Sequence, residues 1–434
     1  MKRKRTHGLF RKLCLAAACG LLLSAAGCGA LRVPRSGAES GGPSQAPVSA
    51  VRPAVSSRLA SSSSAAGRNS AASSAQPHSG QVPSAPGSAS PRPLTGIFAA
   101  CSAQAQKKLE SMSLKEKVGQ VFLFRCPQSG AVKTVRDFQP AGFFLMAADF
   151  QGKTAAQVKS TLASYREAGK IKMVFGCDEE GGTVVRASRN PALAEAPYRS
   201  PQAVFRAGGM DGIYGDTVSK AEFLKGLGLN MNLAPVCDVS TDPKDFMYAR
   251  SFGKDAEQTA LFVKTSVRAY NSRALSCVLK HFPGYGSNTD THTGIAYDKR
   301  SCRTFVRSDF LPFQAGIGAG APCVMVSHNV VSCMDAGNPA SLSPKVHEIL
   351  RGELGFTGVV MTDDLSMGAI REFTGGKNPC AAALNAGNDL LLSSNPSADF
   401  NALYAAVRNG AVGEARLNES VLRILAWKYK MGIL

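Results

Sequence analysis

Eight short, uninterrupted apolar runs recur from residue 118 onward, and stretches of helical character separate most of them. They fall at residues 118–125 (VGQVFLFR), 141–147 (AGFFLMA), 172–177 (KMVFGC), 230–236 (NMNLAPV), 276–282 (SCVLKHF), 323–327 (CVMVS), 358–362 (GVVMT) and 389–393 (DLLLS). A strand with one wet face alternates apolar and polar residues. A run that is apolar throughout is buried on both faces, as parallel strands covered by helices are. Spacing near 3.6 predicts covering helices over residues 155–170, 221–227, 257–271, 308–315, 344–354, 398–408 and 417–429, with Asp255 and Ser343-Pro344 as helix starts. Eight strands, each followed by helix, predict an α/β fold: a single (β/α)8 barrel of the TIM type occupying residues 98–434. A doubly wound open sheet is the alternative, but no G-x-G-x-x-G follows any run and no P-loop is present.

The chain before residue 98 is of another kind. The whole sequence carries a formal net charge of +19, yet the first hundred residues hold 12 Lys/Arg against one acid, Glu39. Lys2, Arg3, Lys4, Arg5, Arg11 and Lys12 precede an uncharged run over residues 13–27, a pattern that predicts a signal peptide at residues 1–27 and is too short to span a bilayer. The run ends Ala25-Ala26-Gly27-Cys28, which resembles a bacterial lipoprotein processing site, with Cys28 as the lipidated residue; an ordinary cleaved signal is the alternative. Residues 36–95 contain 17 Ser, 12 Ala, 8 Pro and 6 Gly without apolar periodicity, so residues 28–97 are expected to form a disordered tether. An exported protein follows, either held at the cell membrane by its lipid and facing the wall or secreted. The basic excess suits an anionic envelope. No nucleic-acid-binding motif accompanies it, so a nucleic-acid partner is not expected. The nine cysteines left after the signal and Cys28 form no C-x-x-C pair, and four sit in or beside the apolar runs, so neither a zinc site nor a disulfide framework is expected.

In a barrel of this type the chemistry belongs at the C-terminal ends of the strands. The runs end in Asp178-Glu179-Glu180-Gly181-Gly182, in Cys237-Asp238 with Arg250 beyond, in Lys280-His281 leading through a glycine-rich segment to His292, in Ser327-His328-Asn329, in Asp363-Asp364 and in Ser394-Asn395. Asp363, directly after an apolar run, is a carboxylate on a rigid strand end and suits a nucleophile. Asp364 suits a cap. Asp290 and His292, two residues apart in a loop, suit a carboxylate that orients an imidazole for proton transfer near neutral pH.

Taken in order, residues 112–120 (MSLKEKVGQ), Asp178-x-Glu180-Gly181-Gly182-x-Val184-x-Arg186, residues 232–239 (NLAPVCDV), Arg250-Ser251-Phe252, Lys280-His281-Phe282-Pro283-Gly284, Asp290-x-His292 and Thr362-Asp363-Asp364-Leu365-Ser366-Met367 resemble glycoside hydrolase family 3, in its single-domain β-N-acetylhexosaminidase branch. The resemblance covers nearly all of residues 105–430. It implies a retaining exo-β-N-acetylglucosaminidase acting on cell-wall glycan fragments, with Asp363 as nucleophile and His292 as acid/base partnered by Asp290. By the same match Asp178, Arg186, Arg250, Lys280 and His281 grip the sugar. It implies no cofactor and no metal, a carbohydrate substrate and a monomer. Two alternatives stand beside it: a phosphorylase on the same site, because an imidazole repels incoming phosphate less than a carboxylate does, and a non-catalytic wall-binding lipoprotein. Three departures bear on aglycone preference and loop behaviour. Tyr285 stands where the family often has His, residues 293–297 (TGIAY) lack the usual Leu-Pro, and Thr183 replaces a common Arg. The second α/β domain of many members is not expected, in keeping with an acid/base histidine supplied by a loop of the barrel itself.

Overall fold

A computed structural model describes residues 92–288 and 290–434. The expected signal peptide, Cys28 and almost all of the expected tether lie outside the described residues. Eight parallel strands form one sheet: β1 (Phe122–Arg125), β2 (Gly142–Leu145), β3 (Val174–Cys177), β4 (Met231–Asn232), β5 (Ser276–Phe282), β6 (Cys323–Val326), β7 (Val359–Thr362) and β8 (Leu391–Ser393). Neighbours run β8-β1-β2-β3-β4-β5-β6-β7. The seam between β7 and β8 closes through a parallel Met361–Leu390 bridge and the Thr362 N–H donating to the Leu390 carbonyl at 3.0 Å, so the sheet is a TIM-type barrel.

Every predicted run contains a strand; seven of the eight strands are shorter than their apolar stretch, the first and fourth by half or more. In the first, residues 118–120 belong to the helix Leu114–Gln120, which a reciprocal Ser113–Glu116 capping box initiates. In the fourth, pairing stops at Asn232 because Pro235 has no N–H for the ladder; only an isolated Val236–Lys280 bridge continues it. Asp255 and Ser343 cap their helices as expected, accepting from Gln258 N–H at 2.8 Å and Val346 N–H at 3.3 Å. Residues 221–227 prove to be the tail of a longer helical element, Pro201–Gly226, whose backbone kinks at Gly208–Gly209. That glycine pair breaks the apolar period and hides the first half. The helix expected at residues 308–315 runs over Phe310–Gly318, and a separate short helix, Cys302–Arg307, precedes it.

Where no disulfide framework is expected, one bridge forms, Cys302–Cys333, with Cα atoms 5.5 Å apart. No spacing signals it. A two-stranded pairing of Tyr297–Asp298 with Val330–Val331, beyond β5 and β6, brings these distant segments together. The remaining described cysteines are free, and all but Cys101 are buried.

At the end of the barrel where the strands begin, the buried Asp389 accepts from Arg351 Nη2 (2.6 Å), Arg423 Nη1 (3.0 Å), Ser420 Oγ (3.0 Å) and the Val360 N–H (3.1 Å). Burial alone would raise its pKa, but the surrounding arginines hold it at about 2. Arg351 also donates to the carbonyls of Phe356 and Gly358, and Arg416 to those of Leu384 and Asn388. The cluster thus fastens main chain around the closing seam. Lys428, also fully buried, donates to Gln120 Oε1 at 2.6 Å and the Lys172 carbonyl at 2.8 Å, and burial pushes its pKa down to about 7.

Candidate active site

A cavity of about 520 Å³ opens at the C-terminal ends of the strands. Asp178, Arg186, Arg250, Lys280, His281, His292 and Asp363 all line it, so seven of the eight site residues expected from the sequence meet there. The eighth, Asp290, stands behind His292.

The floor is a net of paired charges. Lys280, on β5, places Nζ 2.7 Å from Asp178 Oδ1 and 2.5 Å from Glu180 Oε1. Arg250 grips Glu180 with both edges of its guanidinium, Nε to Oε2 at 3.0 Å and Nη2 to Oε1 at 2.7 Å. Arg186 reaches Asp178 Oδ2 at 3.1 Å. Desolvation would raise the Glu180 pKa, but Lys280 and Arg250 outweigh it and hold the carboxylate well below its usual range. Burial likewise works against the Lys280 ammonium, and Asp178 and Glu180 reverse the direction, so it stays charged. Lys280 and His281 are consecutive yet both line the cavity. Regular alternation would send them to opposite faces, and β5 is irregular here, its register against β6 shifting between Leu279 and Phe282.

Glu179 serves the scaffold instead. Its carboxylate accepts the Arg186 N–H at 3.0 Å, the Ala187 N–H at 2.8 Å and the Ser188 hydroxyl. It thereby folds the segment carrying Arg186 back toward the floor. The turn starts at Gly181, whose φ of +100° is open to glycine and whose Cβ, if present, would lie 2.2 Å from the Arg199 carbonyl oxygen. The sequence holds a signal for this division. Period-2 geometry puts residues 178 and 180 on one face and 179 on the other.

Asp363 follows β7 and is half-buried in the cavity wall. Its Oδ1 accepts the Asp364 N–H at 2.8 Å. Burial would raise its pKa, but His328, His281, the Asp364 N–H and Lys280 together leave the carboxyl below its ordinary value. Burial pushes His328 itself toward neutrality. Its Nδ1 accepts from the Ser341 hydroxyl (2.8 Å) and its Nε2–H donates to the Asp364 carbonyl (3.0 Å). The steadier support for an ionised Asp363 is therefore the backbone N–H and the Lys280 charge. Asp364 does not cap the next helix, whose N-cap position is Met367; its carboxylate takes the Ser366 N–H at 2.9 Å and the Ser394 hydroxyl at 2.5 Å, bracing the turn behind Asp363.

His292 lies on the long loop after β5. Its Nδ1 is 2.6 Å from Asp290 Oδ1, and its side chain is 63% exposed. A carboxylate on Nδ1 fixes the proton there and leaves Nε2 to act. A second imidazole–carboxylate pair, His281 Nδ1 with Asp238 Oδ2 at 2.8 Å, is buried beneath it. The loop rests on the segment after β7, where a Cβ on Gly368 would lie 2.6 Å from the His292 carbonyl oxygen. Its two roots are joined by Arg300, which pairs with Asp298 (2.7 Å) and Asp309 (3.0 Å) and donates to the Gly284 carbonyl (3.2 Å). Sequence reasoning placed His328 at a strand end without assigning it a role, and it missed Arg300 and the cavity-lining Arg125 and Arg371. The three arginines belong to no local pattern that marks the site, and only the closed barrel brings these groups together. Among the described residues no group of three or more His, Cys, Asp and Glu is placed to hold a metal ion, and no helix is long and apolar enough to cross a membrane.

Carboxylates, an imidazole and a net of cations on the mouth of a TIM barrel define the class, a glycoside hydrolase. The glycosyl hydrolase family 3 N-terminal domain matches residues 113–427. The chain belongs to that family. It is 32% identical over 283 residues to a β-hexosaminidase of Xylella fastidiosa (strain M23), covering 63% of this chain and 82% of that protein. With a β-hexosaminidase of Stenotrophomonas maltophilia (strain R551-3) it shares 35% over 274 residues, 61% of this chain and 79% of the relative. Among solved structures it is similar to a family 3 β-N-acetylglucosaminidase from Paenibacillus sp. str. FPU-7, with a TM-score of 0.70 at 30% identity, spanning 74% of this chain and 63% of that one. A β-glucoside phosphorylase shares the fold, with a TM-score of 0.67 at 23% identity.

Proposed function

We propose that this glycoside hydrolase is a retaining, exo-acting β-N-acetylglucosaminidase that removes terminal β-linked N-acetylglucosamine from cell-wall glycan fragments. The observation that carries the proposal is one cavity holding both an Asp363 carboxylate kept ionised and an imidazole whose Nδ1 is already engaged by Asp290. The names of the β-hexosaminidase relatives support the choice of sugar. Asp178, Arg186, Arg250, Lys280 and His281 present charged donors and acceptors to a ring of hydroxyls and an acetamido group. In the first step Asp363 attacks the anomeric carbon. The bond from that carbon to the glycosidic oxygen breaks, and the oxygen takes the Nε2 proton of His292. In the second, water gives a proton to Nε2 as its oxygen attacks the same carbon, and the ester to Asp363 is released. Two inversions leave the β configuration.

Trapping with a 5-fluoro glycosyl donor followed by peptide mapping is expected to label Asp363, and NMR of the first-formed product is expected to show the β anomer. An α product overturns the mechanism. Faster turnover of a chromogenic β-glucoside than of the matching N-acetyl-β-glucosaminide overturns the sugar assignment.

A phosphorylase is the second reading. The acid/base is an imidazole, and Arg125 and Arg371 line the cavity with no ion pair among the described residues. Sugar 1-phosphate formed in phosphate buffer, with turnover rising as phosphate is added, would decide for it. We propose in addition that the protein is exported and anchored through a lipid on Cys28. Cys28→Ser is then expected to move it from the membrane fraction to the soluble one.

A further inference from the structure

The acid/base turn is poorly held by its own side chains. Asp290 and His292 are 31% and 63% exposed, and the residue between them, Thr291, is fully buried. The Thr291 hydroxyl is hydrogen-bonded to the Tyr285 hydroxyl at 2.5 Å. Among the described residues this is the one buried side-chain hydrogen bond tying residues 290–292 to the rest of the molecule. Tyr285 in turn belongs to the sugar-binding floor. Its N–H donates to Asp238 Oδ1 at 2.8 Å, and its ring stands edge-on to His281, with centroids 5.3 Å apart at 90°. The other oxygen of Asp238 engages the His281 ring and its N–H. One carboxylate therefore sets both His281 and Tyr285, and Tyr285 reaches on to the turn that bears His292.

We infer that Tyr285 is a positioning residue for the reaction, its hydroxyl fixing the Asp290–His292 turn over the sugar-binding floor through Thr291. Proton transfer to a leaving oxygen depends steeply on donor placement, so a turn with exposed side chains needs a buried peg. Without the phenol oxygen, the buried Thr291 hydroxyl has no partner and the peg is gone. The same peg ties the proton donor to the ring that grips the sugar. The inference rests on His292 being the acid/base.

The test compares kcat/KM for two substrates. A nitrophenyl N-acetyl-β-glucosaminide has a leaving group that departs with little protonation. The β-1,4 disaccharide of N-acetylglucosamine has a leaving group that needs it. Tyr285→Phe and Thr291→Val are each expected to lose about tenfold or more activity on the disaccharide beyond any loss on the nitrophenyl substrate. The double variant is expected to be no worse than either single one. Equal losses on both substrates, no loss, or additive losses overturn the proposal. Should Tyr285→Phe fail to fold, Thr291→Val decides it alone. His292→Ala in the same pair of assays separates the two readings. If it lacks the leaving-group-selective loss, the acid/base assignment fails; if it shows that loss and the hydroxyl variants do not, only the role of Tyr285 fails.

Discussion

The barrel buries a cluster of charges at each end, and the two are wired differently. At the mouth, Lys280, Arg250 and Arg186 donate only to side chains: Asp178, Glu180, His281 and the Met247 sulfur. At the far end, Arg351 and Arg416 donate to main-chain carbonyls as well, and Asp389 takes a strand N–H. A cation bonded to backbone holds the fold. A cation bonded only to other side chains can rearrange its hydrogen bonds around a guest without disturbing a strand. Buried charge alone thus fails to mark a site; the identity of its partners separates a binding surface from a rivet. The mouth also leaves capacity unspent, since Arg186 Nε is buried with no partner.

The comparison is sharpest at Asp363. Asp363→Ala is expected to cut kcat about 10⁴-fold or more while leaving the melting temperature near that of the parent, measured by steady-state kinetics beside calorimetry. Asp389→Ala should do the reverse. Stranding buried arginines is expected to cost about 3–5 kcal/mol in denaturant unfolding, with kcat of the folded enzyme within about twofold of the parent. Asp178→Ala is expected to lower kcat/KM about 10²-fold with a smaller loss of stability than Asp389→Ala. If Asp178→Ala proved the more destabilising of the two, the division between guest-binding and fold-holding clusters would be wrong.

Lys428 tests the far end through pH. Its folded pKa of about 7 lies below the ordinary lysine value, so between roughly pH 7 and 10 the unfolded chain binds the extra proton. Stability should therefore rise with pH across that window and fall as pH drops toward 7. Lys428→Met is expected to flatten that slope by on the order of 1–3 kcal/mol in urea titrations at several pH values. The smallest effect is expected at Gly368, where an added Cβ meets the His292 carbonyl oxygen. Gly368→Ala should lower kcat by about tenfold with little change in stability. An unchanged kcat would mean that the turn does not depend on that contact.

Much of this was legible beforehand. Parallel strands covered on both faces must be apolar throughout, so all eight announced themselves, and the acids after them marked the mouth. The exact extent of the first run was not legible, because the Ser113–Glu116 capping box draws its opening residues into a helix. Nor was the Gly208–Gly209 kink, which interrupts the very period that reveals a helix. Within the site, residue types identified the groups that face the cavity. Glu179 and His328 stood among the strand-end residues without a role, and Arg300 stayed hidden, since these groups act through contacts that only the closed ring of strands creates. The Cys302–Cys333 link was hidden for the same reason.

Arg300 has one more consequence. By gripping Gly284 at one root and Asp298 at the other, a single guanidinium turns a long excursion of chain into a short span suspended between fixed piers. Much of the entropy of bringing His292 over the cavity is therefore lost at folding, and only the crest of the span is left to respond to whatever enters beneath it.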